Sequence, residues 1–292
     1  MNKITEQRNP LSDDLDIKSI TEIISLINDE DHLIPKILKK HLKDIKLLIC
    51  NVVDSFDNNG RLFYIGCGTS GRLGVLDASE CPPTFKTNSS LVQGIIAGGN
   101  RALYESIEGA EDSFKDGFES IINKKITKND TVVGISASGT AQFVLGGLNS
   151  AKKVGAHTAL ITFNKVDSHS FIDKTISVIV GPEIISGSTR MKAGTATKMI
   201  LNMISTTSLI KSNKIYKNYM VDLKVSNKKL KNRAIQIIED ICKISYDKAE
   251  LLLIKADNDV KTALAMYYLK VNKDTANKKL NEINGNLRQL IK

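Results

Sequence analysis

An α/β fold built on a doubly wound parallel sheet is predicted by three features of this sequence. Short apolar runs alternate with stretches of helical periodicity through the middle of the chain. Turns rich in glycine and hydroxyl residues follow several of those runs and precede helices. No apolar run approaches the roughly twenty residues of a membrane span, so the runs belong to a folded core. The chain has 292 residues, 41% hydrophobic and 25% charged. That is enough for one large globular domain with appendages.

Each element follows from its local pattern. Residues 1–15 are polar and are expected to be loose or laid across a partner subunit. Asp16–Ile27 and His32–Phe56 carry apolar residues at helical spacing, among them Ile37, Leu38, Ile45 and Leu48, and read as helices flanking the core. From Arg61 the pattern alternates. Strands are expected at 62–65, 91–97, 131–135, 158–162 and 175–180, and helices to about Ser79, then over 102–123, 141–154 and 191–210. Beyond Asn218 the periodicity is helical throughout, over 230–244, 247–255, 260–269 and 275–290, which predicts a small helical bundle. The expected domains are residues 1–54 (tail and helices), 55–217 (the α/β domain) and 218–292 (the helical domain).

Charge and composition remove several classes of function. The net charge is +9, but the Lys and Arg are dispersed. With no arginine-rich arm, no aromatic interleaving and no Cys/His finger spacing, nucleic acid is not the expected partner. A basic balance also suits a phosphorylated substrate. Cys50, Cys67, Cys81 and Cys242 show no CxxC spacing, and the four histidines are equally scattered. No metal or disulfide framework is expected. The N-terminal residues lack an apolar signal segment, so a cytoplasmic location is expected.

Three turns carry the binding chemistry: GCGTSGR at 66–72, SASGT at 136–140 and GSTRMKAGTATK at 187–198. Taken singly, each could be an ordinary Ser/Thr helix cap. Recurring after strands and before helices, they describe an anion site at the carboxyl ends of a sheet, where turn amides, hydroxyls and helix dipoles converge. Gly68, Thr69, Ser70, Ser136, Ser138, Thr140, Ser188 and Thr189 are the candidate phosphate ligands. Arg190 and Lys192 are candidates for phosphate or a carboxylate, and Glu183, in GPE at an expected strand end, for a ligand hydroxyl. GCGTSG is not a Walker loop, because no Lys follows. Nor is it a dinucleotide fingerprint, because the second strand, LVQGIIAGG, ends without an acidic residue.

Two carboxylates are singled out as candidate acids or bases. Glu80 is expected to end its helix, because Pro82 and Pro83 follow and are read as forbidding further helix. Glu111 lies in a segment where Glu105, Glu108 and Glu111 fall three apart on one face of the expected helix, and spacing does not choose among them.

The segments ASECPPTF at 78–85, AGGNRALYESIEGAEDS at 97–113, SASGT, GPEIISGSTRMKAGTATKMILNMIS at 181–205 and INDED at 27–31 together resemble the N-acetylmuramic acid 6-phosphate etherases over nearly the full chain. The resemblance implies a five-stranded parallel sugar isomerase (SIS) sheet and a homodimer with the site near the subunit interface. It also implies a phosphorylated amino sugar as substrate and no cofactor. Glu80 would be the proton donor and Glu111 the second acid/base. Cys67 departs from the alanine more often found in the glycine turn. The same fold covers phosphosugar isomerases and a phosphosugar-responsive regulator, which are the competing readings.

Overall fold

The computed structural model describes residues 3–291, which fall into two units: Met1–Ser79 with Ser90–Ser208, and Glu80–Ser89 with Leu209–Lys292. In the first unit the N-terminal segment is ordered rather than loose. It forms short 3-10 turns at Ile4–Glu6, Pro10–Ser12 and Leu15–Ile17. Thr5 and Asn9 are buried, and the Thr5 carbonyl accepts from the Gly187 N–H at 3.1 Å. The segment is held by this chain's own polar groups.

Two helices follow, α1 (Ile20–Lys39) and α2 (Leu42–Asp57). The break falls after Lys39 rather than at 28–31, where the apolar spacing lapses. It lapses because the inward position there is held by a charge. Glu30 is buried, its carboxylate paired with the Lys192 ammonium and accepting from Asn9 Nδ2 at 2.9 Å. Ser19 and Glu22 close a capping box that sets where α1 starts.

The sheet contains β1 (Leu62–Gly66), β2 (Val92–Ile96), β3 (Thr131–Ile135), β4 (His157–Thr162) and β5 (Lys174–Ser177), all parallel in the order β2-β1-β3-β4-β5. Every residue of β1 and β3 is buried, which explains their unbroken apolar runs. Tyr64 pairs with Gly94 on one side and Val133 on the other. At the amino edge, Asp130 accepts from the Arg61 backbone N–H at 2.7 Å and Arg61 Nη2 at 2.8 Å, locking the starts of β1 and β3 together.

The connecting helices are α3 (Gly68–Phe85), α4 (Phe114–Asn123), α5 (Gln142–Lys153) and α6 (Lys192–Lys211). One face of the sheet packs Phe63, Ile65 and Val132 with Phe143, Val144 and Leu148 of α5. Each such fully buried side chain contributes about 1.5–3 kcal/mol. On the other face α3 approaches Tyr64, where a Cβ on Gly74 would lie 2.9 Å from the Tyr64 Cβ. Helices α4 and α5 meet backbone to backbone: a Cβ on Gly146 would fall 2.0 Å from the Phe114 carbonyl oxygen, and one on Gly117 only 1.9 Å from that of Phe143.

Two further expected boundaries are corrected around α3 and α4. Helix α3 does not stop at Glu80 but runs to Phe85 with Pro82 and Pro83 inside it. A proline's fixed φ is compatible with helix and each one removes a single donor, while its carbonyl still accepts, as Pro82 does from Lys86 N–H at 2.9 Å. The helix expected over 102–123 is α4 alone. Before it lie 3-10 turns at Gly99–Leu103 and Ala110–Asp112, because Gly98 and Gly109 adopt left-handed φ of 81° and 71° and Ser113 caps α4. Glu105, Glu108 and Glu111 therefore share no helix face.

The second unit carries α7 (Lys228–Cys242), α8 (Tyr246–Lys255), α9 (Val260–Leu269), α10 (Lys273–Glu282) and α11 (Leu287–Leu290) around a core that includes Ile235, Ile238, Leu253 and Leu264. The single helix expected over 275–290 is broken after Glu282, where Asn284 and Gly285 take positive φ and Gly285 N–H bonds Leu280 O at 2.8 Å. A buried ion pair, Lys261 Nζ to Asp222 at 2.7 Å, is completed by the Asn213 carbonyl at 2.9 Å. Burial lowers the Lys261 pKa against the opposing pull of Asp222. Among the described residues no helix is long and apolar enough to cross a membrane.

Candidate active site

Leaving β1, the chain turns directly into α3. Leaving β3, it passes through 136–141 into α5. Because β1 lies between β2 and β3, the gap beyond the carboxyl ends of β1 and β3 is the point where the winding reverses, the place an open α/β sheet offers a ligand. A cavity of about 270 Å³ lies there. Gly68, Thr69 and Ser70 of the first α3 turn line it, with N–H groups that have no intrahelical acceptor. Ser136, Ser138 and Thr189 supply hydroxyls from two further turns.

These turns are internally braced. Ser136 Oγ accepts from the Gly139 N–H at 3.1 Å, and Gly139 has a left-handed φ of 73°. Glu183 is fully buried, and its two oxygens accept from the Lys192 and Ala193 N–H groups at 2.9 Å each, capping α6. Burial pushes the Glu183 carboxyl up, against those amides and the Lys192 charge, which hold it down.

The structure thus gathers six of the expected phosphate ligands. The others lie elsewhere. Thr140 borders a separate cavity and accepts from Lys3 Nζ at 2.8 Å. Ser188 and Arg190 flank Thr189 without lining the cavity, and Arg190 is exposed. Glu183 and Lys192 line no cavity of this site: the first is committed to the α6 amides and the second to Glu30.

Glu111 also lines this cavity, and it lines a neighbouring one of about 350 Å³ as well. Glu105 and Glu108 border only the second, so the choice that spacing left open among the three is made by the irregular 104–113 segment. Arg72 is the basic residue of the second cavity and donates from Nη2 to the Glu105 carbonyl at 2.8 Å. Cys67 borders both cavities. Burial first, then the Glu111 and Asp112 carboxylates, push its thiol up to about 12, so it is a neutral thiol at pH 7. Glu80 is exposed, twelve residues along α3 from Gly68. At 1.5 Å per residue, the helix holds it about 18 Å from that end.

Two residues went unnoticed in the sequence. Arg72 closes the GCGTSGR turn but carries no distinguishing context there. Glu6 reaches the first cavity from the N-terminal segment, whose polar composition gave no periodicity to read.

A parallel sheet in this order, with a hydroxyl-lined cavity at the β1/β3 reversal, places the first unit among SIS-fold proteins. Residues 44–152 match the family model of the glucokinase regulatory protein N-terminal SIS domain, and residues 217–281 that of the C-terminal lid domain of glucokinase regulatory protein. N-acetylmuramic acid 6-phosphate etherase from Oceanobacillus iheyensis is 48% identical over 98% of this chain and 97% of its own. Those from Trichodesmium erythraeum and Bacillus subtilis are each 47% identical, over 99% and 98% of this chain and 94% and 95% of theirs. A solved phosphoheptose isomerase from Neisseria gonorrhoeae matches 65% of this chain and 98% of its own at 12% identity, with a TM-score of 0.47. The chain belongs to the N-acetylmuramic acid 6-phosphate etherase family.

Proposed function

We propose that this protein is a carbon–oxygen lyase that cleaves the D-lactyl ether of N-acetylmuramic acid 6-phosphate, giving N-acetylglucosamine 6-phosphate and D-lactate in the recycling of cell-wall amino sugar. The observation that carries this reading is the position of Glu111: one carboxylate lining both an anion cradle built of hydroxyls and helix-terminal amides and an adjoining cavity that contains Arg72. The substrate has a matching order, with phosphate on C6, the reacting C2 and C3 in the middle and a carboxylate on the lactyl group.

The chemistry needs one acid and one base, and the family resemblance supplies the division of roles. With the sugar ring open, the C1 aldehyde acidifies the C2 proton. Glu111 removes that proton, and the electrons of the C2–H bond form the C2=C3 double bond as the C3–O bond breaks. Glu80 delivers a proton to the departing lactyl oxygen, so lactate leaves as the alcohol. Glu80, now ionised, takes a proton from water as the oxygen adds at C3, and Glu111 returns its proton to C2. One carboxyl has to start protonated and the other ionised, the usual arrangement of a two-carboxylate site. The cradle fixes the phosphate so that C2 and C3 stay at the acids, and Arg72 pairs with the lactyl carboxylate.

The span of α3 makes a second copy part of the proposal. About 18 Å of helix separates Glu80 from its own cradle, far more than the few bonds between the C6 phosphate and the C3 oxygen. In a homodimer, Glu80 of one protomer acts at the cradle of the other.

Release of D-lactate from N-acetylmuramic acid 6-phosphate by the purified protein tests the reading. Glu111→Gln is expected to lower kcat by about 10²–10⁴-fold, the usual contribution of a positioned acid/base, while phosphosugar binding persists. Absence of lactate from folded wild-type protein across pH 5 to 9 would sink the function. Near-normal turnover by the variant would sink the role of Glu111.

A further inference from the structure

Glu6 belongs to none of the turns that form the cradle, yet it lines that cavity with Thr69, Ser70, Ser136 and Thr189. Glu6 is itself exposed, but the residue before it is anchored in a buried polar contact. Asn164 Nδ2 donates to Thr5 Oγ1 at 2.9 Å, and Thr5 Oγ1 donates to Glu6 Oε1 at 3.4 Å, with Asn164 and Thr5 each at most 2% exposed. The Glu6 carbonyl accepts from Ser186 Oγ at 3.1 Å, tying the same residue to the chain just before the third turn. The other carboxylate oxygen, Oε2, accepts from no protein group among the described residues. It lies 3.2 Å from where a Cβ on Gly187 would sit, at the wall of the cavity.

Among the described residues no Lys or Arg lines this cavity, so a phosphate in it would be held by amides and hydroxyls. An ionised carboxylate beside a phosphate dianion is repulsive, and an ion bound without further contacts would gain nothing from Glu6. A carboxylate at that spot, with the Thr5 hydroxyl on one oxygen and its backbone tied to Ser186, therefore fits a neutral donor attached to the phosphate: a sugar hydroxyl or amide N–H. We propose that Glu6 is a specificity-determining residue of this site, accepting a hydrogen bond from a hydroxyl or amide N–H of the sugar and disfavouring phosphate that carries no such donor. The inference rests on the phosphosugar reading given above and adds a recognition element to it.

The test compares ligands that differ in that donor. Binding of N-acetylglucosamine 6-phosphate, glucose 6-phosphate and inorganic phosphate is measured by calorimetry on the full chain, wild type, Glu6→Ala and Glu6→Gln. Removing a charged acceptor from a hydrogen bond corresponds to about a 10–100-fold loss. Glu6→Ala is expected to weaken N-acetylglucosamine 6-phosphate by that factor and to bind inorganic phosphate as tightly as wild type or several-fold tighter. Glu6→Gln, which keeps an acceptor oxygen but not the charge, is expected to retain the phosphosugar within about tenfold and to share the gain for phosphate. If the amide N–H is the donor, glucose 6-phosphate loses much less than the acetamido sugar; equal losses assign a hydroxyl. Equal weakening of all three ligands in Glu6→Ala would make Glu6 a brace of the turn and overturn the proposal, as would unchanged binding of all three. Wild-type protein that binds no phosphosugar overturns the phosphosugar reading and this inference with it. Wild-type binding with an indifferent Glu6→Ala overturns this inference alone.

Discussion

Cys67 stands beside Glu111 at the border of both cavities, where a nucleophile would be well placed. Its surroundings prevent that. Burial, reinforced by the Glu111 and Asp112 carboxylates, pushes its thiol from an ordinary 9.0 to about 12, which lowers the thiolate fraction near neutrality by about three orders of magnitude. Iodoacetamide at pH 8 is therefore expected to alkylate the exposed Cys50 and leave Cys67 unmodified, read by peptide mass spectrometry. Labelling of Cys67 as fast as Cys50 would contradict this environment. At the same scale, the sequence was readable where a residue's role follows from its turn. Thr69, Ser70, Ser136, Ser138 and Thr189 sit in hydroxyl-rich turns after strands, and all five reach one cavity. It was not readable where the role depends on a distant partner. Lys192 looks like a free cation in STRMK, but its ammonium is fixed by Glu30, 162 positions away. Glu6 acquires its place through Asn164, which no local pattern connects to it.

Strand β5 shows how a single side chain can hold an edge element in register. Asp173, just before it, accepts from the Thr158 N–H at 3.0 Å and the Thr158 hydroxyl at 3.1 Å, while the Lys152 ammonium pairs with its other oxygen. Burial alone would raise its pKa, but those donors outweigh burial and the carboxyl is lowered. A depressed carboxyl stabilises the fold above its unfolded value, near 3.8, and that stabilisation fades as pH falls through the lower folded value. Asp173→Asn is expected to cost about 1–3 kcal/mol at pH 7, with a similar gap at pH 5 and a smaller one at pH 3, measured by urea unfolding. A gap that stays constant down to pH 3 would show that the charge is not what matters. The elements themselves were legible wherever periodicity and turn chemistry agreed, as in the five strands and α5. They were misread at α3, where Pro82 and Pro83 suit the helical φ, and at 102–113, where the left-handed Gly109 interrupts a plausible acidic stripe. The second error hid the distinction between Glu111 and its two neighbours, because that distinction exists only in the irregular backbone.

The largest scale decides whether the two candidate acids can serve one substrate. Twelve residues of α3 separate Glu80 from Gly68 at the start of the helix, about 18 Å of helix. The homodimer proposed above would resolve this, since a twofold axis that brings one protomer's Glu80 to its partner's cradle does so twice. That arrangement has a consequence no single-chain site can mimic. Glu80→Gln and Glu111→Gln homodimers would each be inactive, every site lacking one acid. In a heterodimer of the two, one site would gather both glutamines and the other both intact glutamates. Co-expression with different affinity tags, followed by purification through both, is therefore expected to yield a heterodimer with about half the wild-type lactate release, whereas each parent variant shows little or none. If the doubly purified heterodimer is as inactive as its parents, Glu80 and Glu111 act from the same chain and the reach of α3 has been misjudged. If no heterodimer is recovered from either tag, the paired assembly itself is wrong.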